Sequence, residues 1–111
     1  MIRGDSLPIK FLLKGKDNKI FSKEEIESIF ITCRRYPEEV SPIIFQKNID
    51  DCVISEDGYV HVIIEPKDTE DAEYGMYFVD TEITLKNGYK KTKTGYLELE
   101  HESTIAKKAG E

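Results

Sequence analysis

The chain has 111 residues, 39% of them hydrophobic, with no Trp and two Cys. A single domain of this length buries about two-thirds of its unfolded surface, so its core needs neither metals nor disulfides. Because 22 acidic residues outnumber 16 basic ones, giving a net charge of -6, nucleic acid is excluded as the main partner. No apolar run is long enough for a membrane-spanning helix, and the first residues lack the apolar stretch of a signal peptide.

The first part of the chain predicts strands. Apolar residues alternate with lysines over residues 9–14, which is typical of a half-buried strand. Ser22 and Glu25 have the spacing of a capping box. The β-branched residues that follow, up to Cys33, favour a strand, so we expect at most one short helical turn near residues 22–26.

Further strands are expected at residues 43–47 and 49–54 and at Tyr59–Ile64, the last of these central in its sheet because both its faces are fairly apolar. Glu56-Asp57-Gly58 is a tight turn before that strand. The longest strand is expected at Gly75–Leu85, with its odd-numbered residues on one face.

Asn87-Gly88 predicts a hairpin with a two-residue type I′ turn, after which the chain returns from Tyr89. Gly95 suggests a bulge in the returning strand. The whole pattern predicts an antiparallel β-sandwich of seven to eight strands over residues 1–104, with a flexible tail at 105–111.

Charge is divided unevenly along the chain. Residues 48–85 contain eleven acids and one base, Lys67, whereas the segments before and after each carry +2. A solvated acidic face is the simpler interpretation. The alternative is a pair of complementary surfaces for docking or self-assembly, with the acidic stretch and the basic hairpin on different parts of the surface.

No catalytic, cofactor-binding or metal-ligating residue is predicted. The groups considered were the two histidines, the carboxylate pairs, the acidic turn and the basic hairpin: His61, His101, Asp50-Asp51, Glu56-Asp57, residues 68–71 and residues 86–93. The histidines lack a neighbouring nucleophile and an orienting acid, and adjacent carboxylates on a strand point to opposite faces. The acidic turn has no glycine and no graded ligand order for calcium, and the hairpin is too short for a nucleic-acid site on an acidic domain.

Two further features have structural interpretations. Arg3-Gly4-Asp5 spells an integrin-binding tripeptide, but it leads straight into a strand, so chance or a role in the fold is expected. Phe30 and Phe78 are out of phase with the inward residues of their strands, which predicts a second apolar face.

Several short motifs of this sequence occur together in a known protein family. They are Arg3-Gly4-Asp5-Ser6, Phe45-Gln46-Lys47, Asp57-Gly58-Tyr59, Glu65-Pro66-Lys67-Asp68-Thr69, Gly75-Met76-Tyr77 with Asp80, Asn87-Gly88, and Thr94-Gly95-Tyr96-Leu97-Glu98-Leu99. Over residues 2–104 this set resembles the immunoglobulin-like β-sandwich at the N-terminus of upper baseplate proteins, and of related small tail proteins, in Gram-positive phages and prophages. Ala72, where a larger apolar residue is expected, and Val79, where a second Tyr is usual, depart from it.

The resemblance implies a non-enzymatic virion or tail-assembly protein that is made in the bacterial cytoplasm. Its expected partners are proteins, either further copies in a homo-oligomer or other tail and baseplate proteins, with no nucleic acid, membrane or cofactor. The alternative is a module that binds carbohydrate on the host surface. Within the fold, Tyr77 is expected to act as the tyrosine of a corner motif, with its hydroxyl holding the preceding crossover.

The two cysteines, Cys33 and Cys52, do not fit the usual immunoglobulin disulfide. That bond joins strands B and F; Cys33 would lie on strand B, but Cys52 falls on about the fourth strand. Two free thiols are therefore expected, with an oxidised pair as the alternative.

Overall fold

Two antiparallel sheets face each other across an apolar core in the computed structural model, which describes residues 1–12, 21–36 and 41–100. The strands are β1 (Leu7–Leu12), β2 (Ile26–Arg34), β3 (Ile43–Asn48), β4 (Val53–Ile54), β5 (Tyr59–Ile64), β6 (Gly75–Leu85) and β7 (Lys90–Leu99). One short helix, α1 (Pro66–Thr69), links β5 to β6. The predicted all-β sandwich is confirmed, with seven strands in the described part of the chain.

The strand order identifies the kind of sandwich. One sheet has the order β1-β5-β4 and the other β3-β2-β6-β7. These orders correspond to strands B-E-D and C′-C-F-G of an immunoglobulin-like fold. Cys33 on β2 therefore lies on the equivalent of strand C, and the expectation of strand B was wrong because β1 already occupies that place.

Alternation along β5 and β6 builds the centre of the core. Both strands have the predicted bounds, and β5 is central in its sheet as expected. Its inward residues, Val60, Val62 and Ile64, are buried. The opposite face of β5 is exposed to solvent at Ile63, whose side chain is 54% exposed.

The helical turn predicted near residues 22–26 is present as a 3-10 turn at Lys23–Glu25. Its cap differs from the expected capping box, because the Ser22 side chain accepts no backbone hydrogen bond. Instead, the Ser22 hydroxyl donates to Oε1 of Glu25 at 3.5 Å.

The predicted strand at residues 49–54 is only partly present. Ile49–Asp51 forms a 3-10 turn, and β4 covers just the last two residues. The Asn48 side chain accepts from the Asp50 amide at 2.8 Å, while Asp51 accepts from the Asn48 amide at 2.9 Å. These local bonds compete with strand pairing and turn the chain from one sheet to the other.

The β6–β7 hairpin is present, but its loop has three residues rather than two. The Gly88 amide donates to the Leu85 carbonyl at 2.9 Å, and the Leu85 amide donates to the Tyr89 carbonyl at 2.8 Å. Gly88 has φ 92°, so the loop is a tight turn followed by a left-handed residue. Strand pairing is regular through Gly95, which forms no bulge.

Some predicted features lie outside the described residues. These are the end of the first predicted strand, at residues 13–14, and residues 101–111, which include His101 and the C-terminal tail.

Candidate functional site

The tyrosine corner expected from the resemblance is formed. Tyr77 is 2% exposed, and its hydroxyl donates to the Glu73 carbonyl oxygen at 2.6 Å. The Arg35 guanidinium lies 4.9 Å from the Tyr77 ring centroid and donates to the Met76 carbonyl at 3.1 Å. Gly75 has φ 128°, a backbone conformation that L side chains rarely adopt, and a Cβ there would also push the Arg35 guanidinium aside, since it would stand 2.6 Å from Nη1. The corner fixes the start of β6.

The Arg3-Gly4-Asp5 tripeptide packs against the same crossover. Arg3 donates to the Ala72 carbonyl at 3.1 Å and lies 4.3 Å from the Tyr74 ring centroid. The Gly4 amide donates to Oγ1 of Thr69, a fully buried side chain, at 3.0 Å. Arg3 and Gly4 therefore act in the fold, which agrees with the structural interpretation of the tripeptide.

Two acids of the acidic stretch, residues 48–85, pair with lysines from outside it. Asp68 pairs with Lys47 at 2.7 Å, and both side chains are almost buried. Glu82 pairs with Lys90 of β7 at 3.3 Å, so acids and the basic hairpin also meet directly. The predicted separation of the acidic stretch from the basic hairpin thus fails at Glu82.

Asp57 accepts a hydrogen bond from the Ser55 hydroxyl, which lowers the pKa of that carboxyl below its ordinary value.

The cysteines are free thiols. Burial raises the pKa of Cys33 to about 12. Burial and the nearby Asp51 charge raise the pKa of Cys52 to about 11. Both groups are therefore neutral and weakly nucleophilic near pH 7.

His61 lies exposed on the outer face of the three-stranded sheet, between Lys10 and Val53 on the neighbouring strands. Across the described residues, no three His, Cys, Asp or Glu side chains come close enough to hold a metal ion. The described helices include none long and apolar enough to cross a membrane.

An open groove of about 710 Å³ runs along one side of the sandwich, between the edge strands β1 and β7. We call it the β1–β7 groove. Ile9 and Phe11 of β1 form one wall, and Val79 and Ile83 of β6 form the floor. Phe21 and Tyr89, with ring centroids 6.4 Å apart, lie at the hairpin end.

Among the described residues that line this groove, Lys10 lies on β1, and Lys91 and Lys93 lie on β7. Lys91 is paired with Ile83, Lys93 with Thr81 and Gly95 with Val79. Directly paired residues of an antiparallel sheet share a face, so both lysines and Gly95 lie on the inward face of β7. Neither lysine forms an ion pair with any described residue, and the groove has no carboxylate among its described lining residues.

The position of these lysines was missed at the sequence level because the hairpin loop was predicted one residue too short. A two-residue turn would pair Lys91 with Thr84 and place the lysine on the outer face. The observed pairing of Thr84 with Lys90 shifts the register by one residue and reverses the faces.

Phe30 and Phe78 lie on the outer side of the four-stranded sheet, but this side is not the apolar face that was predicted, because Glu82 is paired with Phe30 and Asp80 lies between the two rings. Phe78 and Tyr96 are paired across β6 and β7 with ring centroids 5.2 Å apart, and Tyr96 is 69% exposed. Phe30 is exposed farther along the same face. Beside the rings, the Thr94 hydroxyl donates to Asp80 at 2.7 Å. This face thus combines an aromatic platform with polar neighbours.

Comparison with known proteins adds no assignment to this geometry: no protein-family model, curated protein or solved structure matches the chain.

Proposed function

We propose that the chain is a non-enzymatic structural protein of a phage or prophage, a component of the tail or baseplate that acts by binding other proteins. The observation that carries the proposal is the way the motifs of the resemblance meet in space. Arg3-Gly4, Thr69 and Gly75-Met76-Tyr77 come from distant parts of the sequence, yet they build one corner of the sandwich. The motifs that carry the resemblance thus act together in the fold, which supports kinship with that family, and the family's role in tails supports assembly.

Two surfaces on the described part of the chain suit a binding protein. The β1–β7 groove leaves apolar core residues half-buried beside two lysines that form no ion pair with a described carboxylate. The outer face of the four-stranded sheet exposes Tyr96 and Phe30. Apolar residues that stay exposed in this way are typical of contacts with other molecules.

Mass spectrometry of tail particles tests the proposal. Prophages would be induced in the bacterium that encodes the chain, and the released particles would be purified by density-gradient centrifugation. We expect the chain to co-purify with tail proteins at a fixed ratio through successive gradients. If particles with intact tails lack the chain, or lose it on washing as a soluble contaminant would, the structural role is refuted.

Carbohydrate binding is the second candidate function, and the aromatic platform favours it. Sugar rings stack on exposed aromatic side chains while neighbouring polar groups bond to hydroxyls. Tyr96 and Phe78 supply the rings, and Asp80 and Thr94 supply the polar groups. A glycan array probed with the wild-type chain and with Tyr96→Ala tests this function. Glycan hits that the variant loses support it, and an array without hits dismisses it.

A further inference from the structure

We propose that the β1–β7 groove binds an extended, acidic segment of another protein, which lies between the two edge strands and completes the sandwich. The inference rests on the proposed function, because it names the chemistry of the partner that an assembly protein would bind.

The first reason is an incomplete core. On the inward face of β6, the end residues Tyr77 and Leu85 are each 2% exposed, as core residues should be. Between them, Val79, Thr81 and Ile83 share the same inward face but are only half-buried. Val79 and Ile83 contact the core but stay partly exposed, so the central strand has room for another element beside it at mid-length.

The second reason is the shape of the space. β1 and β7 are edge strands, which carry N–H and C=O groups available to a further strand. At one end of β7, Met1–Arg3 already bonds along Glu98–Glu100, with the Glu100 amide donating to the Met1 carbonyl at 2.9 Å. β1 is six residues long, so a bound segment of about 20 Å could lie along it. Binding by strand addition uses this kind of edge.

The third reason is charge. Lys91 and Lys93, which form no ion pair with any described residue, bring two ammonium groups to a groove whose described lining is mostly apolar and also includes Lys10. A segment carrying carboxylates beside apolar side chains would complement it. Pairing the β7 edge of one copy with that of another would instead bring lysines together, and inward-facing lysines are a known protection against such pairing. In the described residues, most exposed acids of the chain are on turns and helical turns, such as Asp50 and Glu56, which offer no free strand. We therefore assign the segment to a different protein.

Fluorescence polarisation with synthetic peptides provides the test. The probe is a fluorescein-labelled peptide of about eight residues in which Val and Glu alternate, long enough to span β1. One control peptide has Lys in place of Glu, and the other has the same composition in shuffled order. We expect the alternating Val–Glu peptide to bind at least about tenfold more tightly than either control at low salt, and less tightly as salt is raised.

Two variants of the chain separate the groove from general effects. Lys91→Glu with Lys93→Glu reverses the groove charge and should weaken binding by about tenfold or more. Lys86→Glu with Lys90→Glu changes the net charge equally on the same hairpin, outside the groove, and should weaken binding by less than about threefold.

Gly95→Val blocks the groove without changing charge. A Cβ at Gly95 would meet only the Val79 carbonyl oxygen, at 3.9 Å, so the variant should fold. Because valine suits a strand better than glycine, we expect a raised urea midpoint together with lost peptide binding.

The proposal is overturned if the Val–Glu peptide does not bind, if the shuffled peptide binds equally, or if Gly95→Val folds and still binds. Concentration-dependent self-association that Lys91→Glu with Lys93→Glu abolishes would also overturn it, by assigning the groove to a second copy. Failure here is distinguishable from failure of the proposed function. Should the chain co-purify with tails while the groove binds no peptide, the tail role stands and only the groove assignment falls.

Discussion

Removing one hydroxyl group should measure the strength of the tyrosine corner. In Tyr77→Phe the ring keeps its place in the core, and only the bond from the hydroxyl to the Glu73 carbonyl, 2.6 Å long, is lost. A hydrogen bond of this kind contributes about 0.5–1.5 kcal/mol net, and a buried group that loses its partner costs up to about 3 kcal/mol. Because Glu73 itself is exposed, water can reach its carbonyl, so we expect a loss of about 1–1.5 kcal/mol in the free energy of unfolding.

Urea unfolding followed by circular dichroism is the assay. The midpoint should fall while the slope with urea stays constant, because the surface exposed on unfolding hardly changes. Tyr96→Phe is the matched control: this tyrosine is largely exposed, its hydroxyl bonds to no described residue, and its loss should change stability by less than about 0.5 kcal/mol. Equal midpoints for Tyr77→Phe and the wild type would refute the corner's contribution.

Three other predictions test the same framework. Gly75→Ala should destabilise the chain by about 1–3 kcal/mol in urea, since alanine is strained at φ 128°, and an unchanged midpoint would contradict this. Lys47→Ala leaves the almost buried Asp68 carboxylate without its ion-pair partner and should cost about 3 kcal/mol of unfolding free energy. Lys90→Ala removes an exposed ion pair and should cost less than about 1 kcal/mol. Equal losses in the two variants would contradict the role of burial. The fold keeps the Cys33 thiol neutral, with a pKa of about 12 against an ordinary 9.0. Ionisation of this thiol therefore favours the unfolded chain, so its contribution to the free energy of unfolding is complete below pH 9 and is lost as the pH rises towards 12. Urea midpoints should therefore fall less over pH 9–11 in Cys33→Ala than in the wild type, and parallel pH curves would contradict that shift.

The strongly periodic parts of the fold could be predicted from sequence. β5 and β6 have the expected bounds because their alternation continues without interruption between clear turns. Tyr77 could be assigned to the corner because its place at the start of β6 follows from the same alternation. In these segments, local preference and burial favour the same structure.

The remaining features depend on side-chain bonds that compete with strand pairing. At Asn48 and Asp51, reciprocal bonds to the backbone replace the start of a predicted strand by a 3-10 turn. At the hairpin, Asn87-Gly88 fits two loop lengths, and the observed one places Gly88 in the left-handed region. A difference of one residue decides which face Lys91 occupies, and hence whether the lysines line the groove or face solvent.

Amide hydrogen exchange compared between the free chain and the chain in purified tail particles tests most directly whether assembly uses the β1–β7 groove. We predict that exchange slows in β1 and β7 on assembly, because their edge groups gain hydrogen bonds, while β3 and β4 on the opposite side change little. Protection confined to β3 and β4, or unchanged exchange throughout the assembled chain, would contradict binding through the groove.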